Sequence, residues 1–146
     1  MTRTVWPLEG DGTADVARGY TRQGAPAGAE VDNAGTRPAR GSAAGGGYAT
    51  ADDLLAFDRA LFGAKLCSPG WAAWVAGAPE PRAGASAPAE APGAAFAGGA
   101  PGISTEWLHE GGVTLLVLTN RDPEVTRAVV GPLHAIVRRM TAPPRR

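Results

Sequence analysis

The chain has 146 residues, with 21 Gly, 13 Pro and 14 basic side chains against 14 acidic ones, so its net charge is zero. That balance gives neither nucleic acid nor an anionic membrane an electrostatic hold, although every basic residue but Lys65 is an arginine. The lone Cys67 excludes an internal disulfide framework and cannot by itself hold a metal, and no run nears the ~20 apolar residues of a membrane span.

Length permits one domain, residues 1–146, and Met1-Thr2-Arg3-Thr4 leads into no signal-peptide apolar stretch. The expectation is a soluble chain, cytoplasmic by default, with no export signal of its own. Leu, Ile, Val and Phe together number 25, under the roughly 20% usual for a packed domain. They are concentrated in two islands, one over residues 54–66 and one over 103–137, which carry most of the burial.

Residues 1–47 show neither a helical nor a strand period; they read as extended or looping chain with at most a short strand over 17–21. Residues 50–63 predict a helix. Thr50 caps its first turn, Asp52 and Asp53 sit where the helix dipole favours anions, and Gly63 suits the C-terminal reversal. Leu54, Phe57 and Leu61 form its apolar stripe, with Leu55 and Phe62 beside it. From 68 to 95 the chain is mostly Ala, Pro and Gly, with Trp71 and Trp74 as its large side chains, and its prolines predict a flexible loop without any long element.

Residues 103–109 and 113–119, joined by Glu110-Gly111-Gly112, predict a hairpin. The second run is almost continuously apolar, the pattern of a central strand covered on both faces. A last helix opens with Asp122 as cap and Pro123 in the first turn; Val129, Leu133, Ile136 and Met140 make its expected buried stripe, and Arg138 and Arg139 favour its C-terminal end.

Nucleophilic catalysis needs a nucleophile and a base within hydrogen-bond reach. None of Ser42, Ser68, Ser86 or Ser104 stands three residues before the only lysine, Lys65, and none sits in a Gly-x-Ser-x-Gly elbow. Nothing marks a Ser–His–acid triad on His109 or His134, and neither has metal-ligand spacing, so each reads as a histidine without a chemical role. Asp52 and Asp53 point in different directions on a helix and read as capping residues rather than a carboxylate pair. Gly45-Gly46-Gly47 precedes a helix, but no Gly-Lys-Ser/Thr follows, so it reads as punctuation; Cys67 reads as a half-buried inert thiol.

Three stretches, in order, resemble the C-terminal part of the β-lactamase-like serine hydrolases, the family of class C β-lactamases, penicillin-binding proteins and related esterases and D-aminopeptidases. Met1-Thr2-Arg3-Thr4, followed by Ala17-Arg18-Gly19-Tyr20-Thr21, resembles an internal Gly-Met-x-x-Thr stretch and its sequel. The run from Ala44 to Phe57 is similar to Ala-Gly-Gly-x-x-Ser/Thr-x-x-Asp-Leu-x-x-Phe at the start of a helix. Gly98-Gly99-Ala100-Pro101-Gly102, with Leu118-Thr119-Asn120 beyond it, resembles the Gly-Gly-x-x-Gly turn, hairpin and Leu-Thr-Asn exit.

The resemblance implies an α+β fold, here a partial one: antiparallel hairpins packed by a C-terminal helix and one further helix, with long Gly/Ala/Pro-rich loops. In full-length relatives an acyl-enzyme hydrolyses amides or esters through Ser-x-x-Lys, Tyr-x-Asn and Lys/His-x-Gly. The first two motifs are absent here and normally lie upstream of a methionine such as Met1. The third maps onto Phe96-Ala97-Gly98, where Phe96 can neither transfer a proton nor bind a carboxylate, leaving the Gly99 amide as one oxyanion donor if a nucleophile came from elsewhere. The expectation is a fragment or degenerate member that is inactive alone, without cofactor or metal. The alternative is a non-catalytic binding piece that complements an N-terminal half of the same fold, or a homo-oligomer, because a sheet lacking its partner strands has open edges.

Overall fold

The computed structural model describes residues 1–8, 15–36, 38–82 and 93–142. Among these the chain is α+β, with two small antiparallel sheets and three helices. The larger sheet is a meander of β3 (Ala94–Ala100), β4 (Ile103–Glu110) and β5 (Val113–Thr119), in that spatial order. The smaller pairs β1 (Tyr20–Thr21) with β2 (Val31–Asp32), so the strand expected over 17–21 is present at its end.

Both hairpin turns follow from local chemistry. Pro101 presets the first central position of the β3–β4 turn, and Gly102, at φ 71°, fills the second, the requirement of a type II turn. In the β4–β5 turn Gly111 and Gly112 have φ of 55° and 77°, the double positive value of a type I′ turn, whose twist matches that of the strands. Pairing Phe96 with Trp107 and Trp107 with Leu116 puts these residues on one face; Leu108 and Leu115 pair on the other.

The expected central place of 113–119 is corrected: β5 is an edge strand of this sheet. Its continuous apolar run answers to helices on both faces, α1 (Ala51–Phe62) on one and α3 (Pro123–Thr141) on the other, rather than to flanking strands. In α1 Thr50 Oγ1 accepts the Asp53 N–H at 3.2 Å, as expected, while Gly63 keeps φ at −85° and the left-handed residue is Ala64.

The segment expected as a loop over 68–95 holds α2 (Pro69–Val75) and the start of β3; residues 83–92 lie outside the described residues. Pro69 sits in the first turn, where its missing N–H costs nothing. The helix escapes a periodicity search because the side chains it buries are Ala72 and Ala73, followed by Ala76 and Ala78, while Trp71 and Trp74 stay exposed.

The buried stripe of α3 is also corrected. Thr126 and Val137 are its buried residues, whereas Val129, Ile136 and Met140 are exposed and Leu133 is half-buried. The docked line is the one with hydroxyls that find partners: Thr126 bonds Thr119 at 2.6 Å and Thr141 bonds Glu110 at 3.2 Å. Asp122, expected as a side-chain cap, makes no such bond and turns its carboxylate outward from the helix.

Candidate functional site

The strand matching the third motif is β3, at the edge opposite β5. Phe96, which the resemblance maps onto the first residue of that motif, is 48% exposed and lies stacked on Trp107 with ring centroids 5.0 Å apart, engaged as a hydrophobic side chain. Ala97, Gly98 and Gly99 follow along the same exposed strand. Gly98 and Gly99 have packing reasons of their own: a Cβ on the first would come within 2.9 Å of Thr105 Oγ1, and on the second within 3.2 Å of Pro123.

Beside them, between β3, β4 and the start of α3, lies a cleft of about 250 Å³ lined by Gly98, Gly99, Ser104, Glu106 and Arg127 among others. It falls below the roughly 300–1,000 Å³ of most small-molecule sites. Ser104 pairs across the ladder with Gly99 and is buried. His134 Nε2 comes within 3.2 Å of Glu106 Oε1 without the alignment of a hydrogen bond. Neither Glu106 nor His134 bonds Ser104 Oγ, so among the described residues lining the cleft no base is positioned to activate that hydroxyl.

A second constellation is one that residue-by-residue reading missed. Asp58 of α1, 2% exposed, accepts from Trp107 Nε1 at 2.8 Å and from Thr114 Oγ1 at 2.7 Å, and its Oδ1 stands 3.0 Å from His109 Nδ1. A carboxylate only accepts, so Nδ1 carries the hydrogen. Phe62 stacks on the imidazole at 3.8 Å and Phe57 meets Trp107 edge-on at 5.7 Å. An Asp–His pair is two-thirds of a hydrolytic triad, but the hydroxyl within reach, Thr114, gives its proton to Asp58 rather than to the imidazole. The arrangement is a lock between α1 and the β4–β5 hairpin, and His109, read from sequence as having no role, is one of its members.

Two further carboxylates tie down the N-terminal region. Asp53, in the first turn of α1 as expected, also accepts from the backbone N–H groups of Thr2 and Arg3 at 2.9 and 2.8 Å and from Thr4 Oγ1 at 2.8 Å. Asp122 accepts from Gly102 N–H at 2.7 Å and Arg22 N–H at 2.8 Å. Between them, Asn33 accepts from Gly19 N–H at 3.2 Å and donates to the Pro101 carbonyl at 3.0 Å, while Tyr20 N–H donates to the Asn120 carbonyl at 3.0 Å.

The Thr4 hydroxyl holds the Asp53 carboxyl below the usual carboxylate range; burial opposes this and the Thr2 and Arg3 amides reinforce it. The Arg22 and Gly102 amides, with the Thr21 hydroxyl, do the same for Asp122. The unfolded chain therefore takes up these protons first. The stability contributed is full above the ordinary carboxylate pKa, about 4, and is lost as pH falls through the depressed folded values. Acid titration followed by circular dichroism should show a shallower loss below about pH 4 in Asp53→Asn and Asp122→Asn than in the parent; an unchanged slope would remove both from the acid response.

Among the described residues no group of three or more His, Cys, Asp or Glu could hold a metal ion, and no helix is long and apolar enough to cross a membrane. Comparison with protein-family models, curated proteins and solved structures found no match.

Proposed function

We propose that this chain is the C-terminal part of a β-lactamase-like serine hydrolase fold and that it performs no hydrolysis by itself. The observation that supports this reading is that the stretches resembling the family hold one another. Thr4 of the Met-x-x-Thr stretch bonds Asp53 of the Asp-Leu helix start. Gly19 and Tyr20 lie against the Gly-Gly-x-x-Gly turn, linked to it through Asn33 and to the Thr-Asn exit through the Asn120 carbonyl. Residues scattered over a hundred positions and matched only by order thus form two continuous junctions.

The chemistry supports inactivity. The sequence contains no Ser-x-x-Lys, the third-motif position is the apolar Phe96, and among the described residues the hydroxyl nearest a histidine, Thr114 beside His109, donates to Asp58. Treatment with a fluorophosphonate should label no serine, and a chromogenic β-lactam or p-nitrophenyl ester should not turn over. Restoring polarity with Phe96→His should leave both results unchanged, because a third-motif side chain without an acylatable serine has nothing to assist. Covalent labelling of any serine accompanied by turnover would sink the reading.

The alternative, a binding piece completed by an N-terminal half, draws on the outer edge of β3, which no strand covers among the described residues, the side from which a nucleophile would reach the Gly99 amide. Co-expression with a fragment carrying Ser-x-x-Lys should then yield a complex that co-purifies and hydrolyses the ester.

A further inference from the structure

The register of the larger sheet explains the cleft beside α3. Thr119 reaches Thr126 of α3, so Ser104, its ladder partner, and Glu106, two residues on, project toward the same helix. Their partners across the ladder on β3 are Gly99 and Ala97, the smallest side chains a strand can offer. With α3 lying over β4 and β5, the helix stands off β3, and the space left is the cleft of about 250 Å³.

Three polar groups line that space without partners of their own. Ser104 is 7% exposed, and its hydroxyl makes no hydrogen bond among the described residues. The Glu106 side chain is 15% exposed; its carboxylate lies against His134 without an aligned bond and accepts from no other donor among them. Arg127 lines the same cleft and forms no ion pair among the described residues. Burying a hydroxyl or a carboxylate unmatched is costly. A cation and an anion that face one space without meeting leave a gap suited to a molecule that carries both charges.

We propose that this cleft binds a small aliphatic amino acid as its zwitterion, with the ammonium on Glu106 and the carboxylate on Arg127 and Ser104. Position assigns the two ends. Ser104 stands level with Thr126 near the start of α3, and helical side chains lean toward the helix start, which carries the Arg127 guanidinium to that end; Glu106 lies further along, at His134. An ionised carboxylate only accepts, so Glu106 suits the ammonium, whereas a guanidinium fork and a hydroxyl suit a carboxylate. Ala97, Pro123 and Val130 supply an apolar wall for a short side chain. Size agrees: at about 30 Å³ per water the cleft holds roughly eight waters, the bulk of a molecule of about as many non-hydrogen atoms, such as valine. The site lies on the face of the sheet away from Phe96 and Trp107 and does not depend on the chain's membership of a hydrolase fold.

Titrating the full chain with racemic valine should shift the backbone amide resonances of Ser104, Glu106 and Arg127 saturably. Isovalerate, which lacks the ammonium, and isobutylamine, which lacks the carboxylate, should each bind about tenfold more weakly or worse. Glu106→Gln should weaken valine by about tenfold and abolish the preference for valine over isovalerate; Arg127→Gln should do the same to the preference over isobutylamine. Arg127 and Ala97 are exposed, so Arg127→Gln and a cleft-filling Ala97→Leu keep the test open should Glu106→Gln fail to fold. Ala97→Leu should remove binding with both charges in place. Resonances that do not move, either half-molecule bound as tightly as valine, or folded Arg127→Gln and Ala97→Leu variants that bind valine unchanged would each overturn the proposal.

Discussion

Asp58→Ala is expected to destabilise the chain by about 3 kcal/mol or more, read as a fall in the urea midpoint at an unchanged slope. The carboxylate is 2% exposed and serves three donors, from Trp107, His109 and Thr114. Removing it leaves these donors facing an aromatic box of Phe57, Phe62 and Trp107. Each unmatched buried donor costs about 1–3 kcal/mol, and the half-buried setting of the three partners lets water recover part of that. Against a total stability of about 5–15 kcal/mol for a domain, such a loss brings the chain close to unfolding. Asp58→Asn keeps the volume and one acceptor oxygen but turns an amide donor toward other donors, so it should fall between. His109→Phe keeps the stack on Phe62 and removes one donor, and should cost least of the three. An alanine variant as stable as the parent would show that α1 is held by its apolar contacts alone.

That ranking places weight on polar side chains, and the interior explains why. Among the described residues the largest fully enclosed side chains are Asn33, Thr21 and Asp58, each hydrogen-bonded or held at a junction, while the apolar core is small. The sparse Leu, Ile, Val and Phe content foretold the small core, and periodicity located α1 and the hairpin because caps, turn glycines and alternation are local properties. Asp58 could have been found from its place one turn from both Leu54 and Leu61, an acid on the buried line of an amphipathic helix. The face of α3 could not be found this way. Its apolar arc is wider than the line that docks, and the choice between neighbouring stripes rests on the partners of Thr126 and Thr141, which belong to strands far away in sequence. Phe96–Gly98, mapped onto the third motif by resemblance alone, lie on β3, yet nothing local could show that Phe96 stacks on Trp107, since that contact is set by the register across the ladder.

Gly102→Ala should cost about 3 kcal/mol, with a spatial signature that separates it from loss of the Asp58 lock. Gly102 has φ of 71°, where an L side chain is strained, and an added Cβ would stand 2.7 Å from Tyr20 N. Strain of about 1–3 kcal/mol adds to an overpacking cost of about 1–3 kcal/mol. The added Cβ meets backbone atoms of Gly19 and Tyr20, so no side chain can rotate away to relieve the clash. The strained turn could keep its hairpin only by pushing the Gly19–Thr21 segment off, which breaks the Tyr20 N–H bond to Asn120 and pulls Asn33 from Pro101. Amide exchange should therefore quicken at Tyr20 and Asn33 while the amides between β4 and β5 retain their protection relative to global unfolding. Gly112→Ala provides the contrast, because its φ of 77° carries similar strain but an added Cβ meets nothing within 4 Å. It should cost only the strain, about 1 kcal/mol, and leave exchange at Tyr20 untouched. Equal exchange profiles for the two variants would mean that the N-terminal segment is not seated on the turn in solution, and the junction that supports the proposed family relationship would go with it.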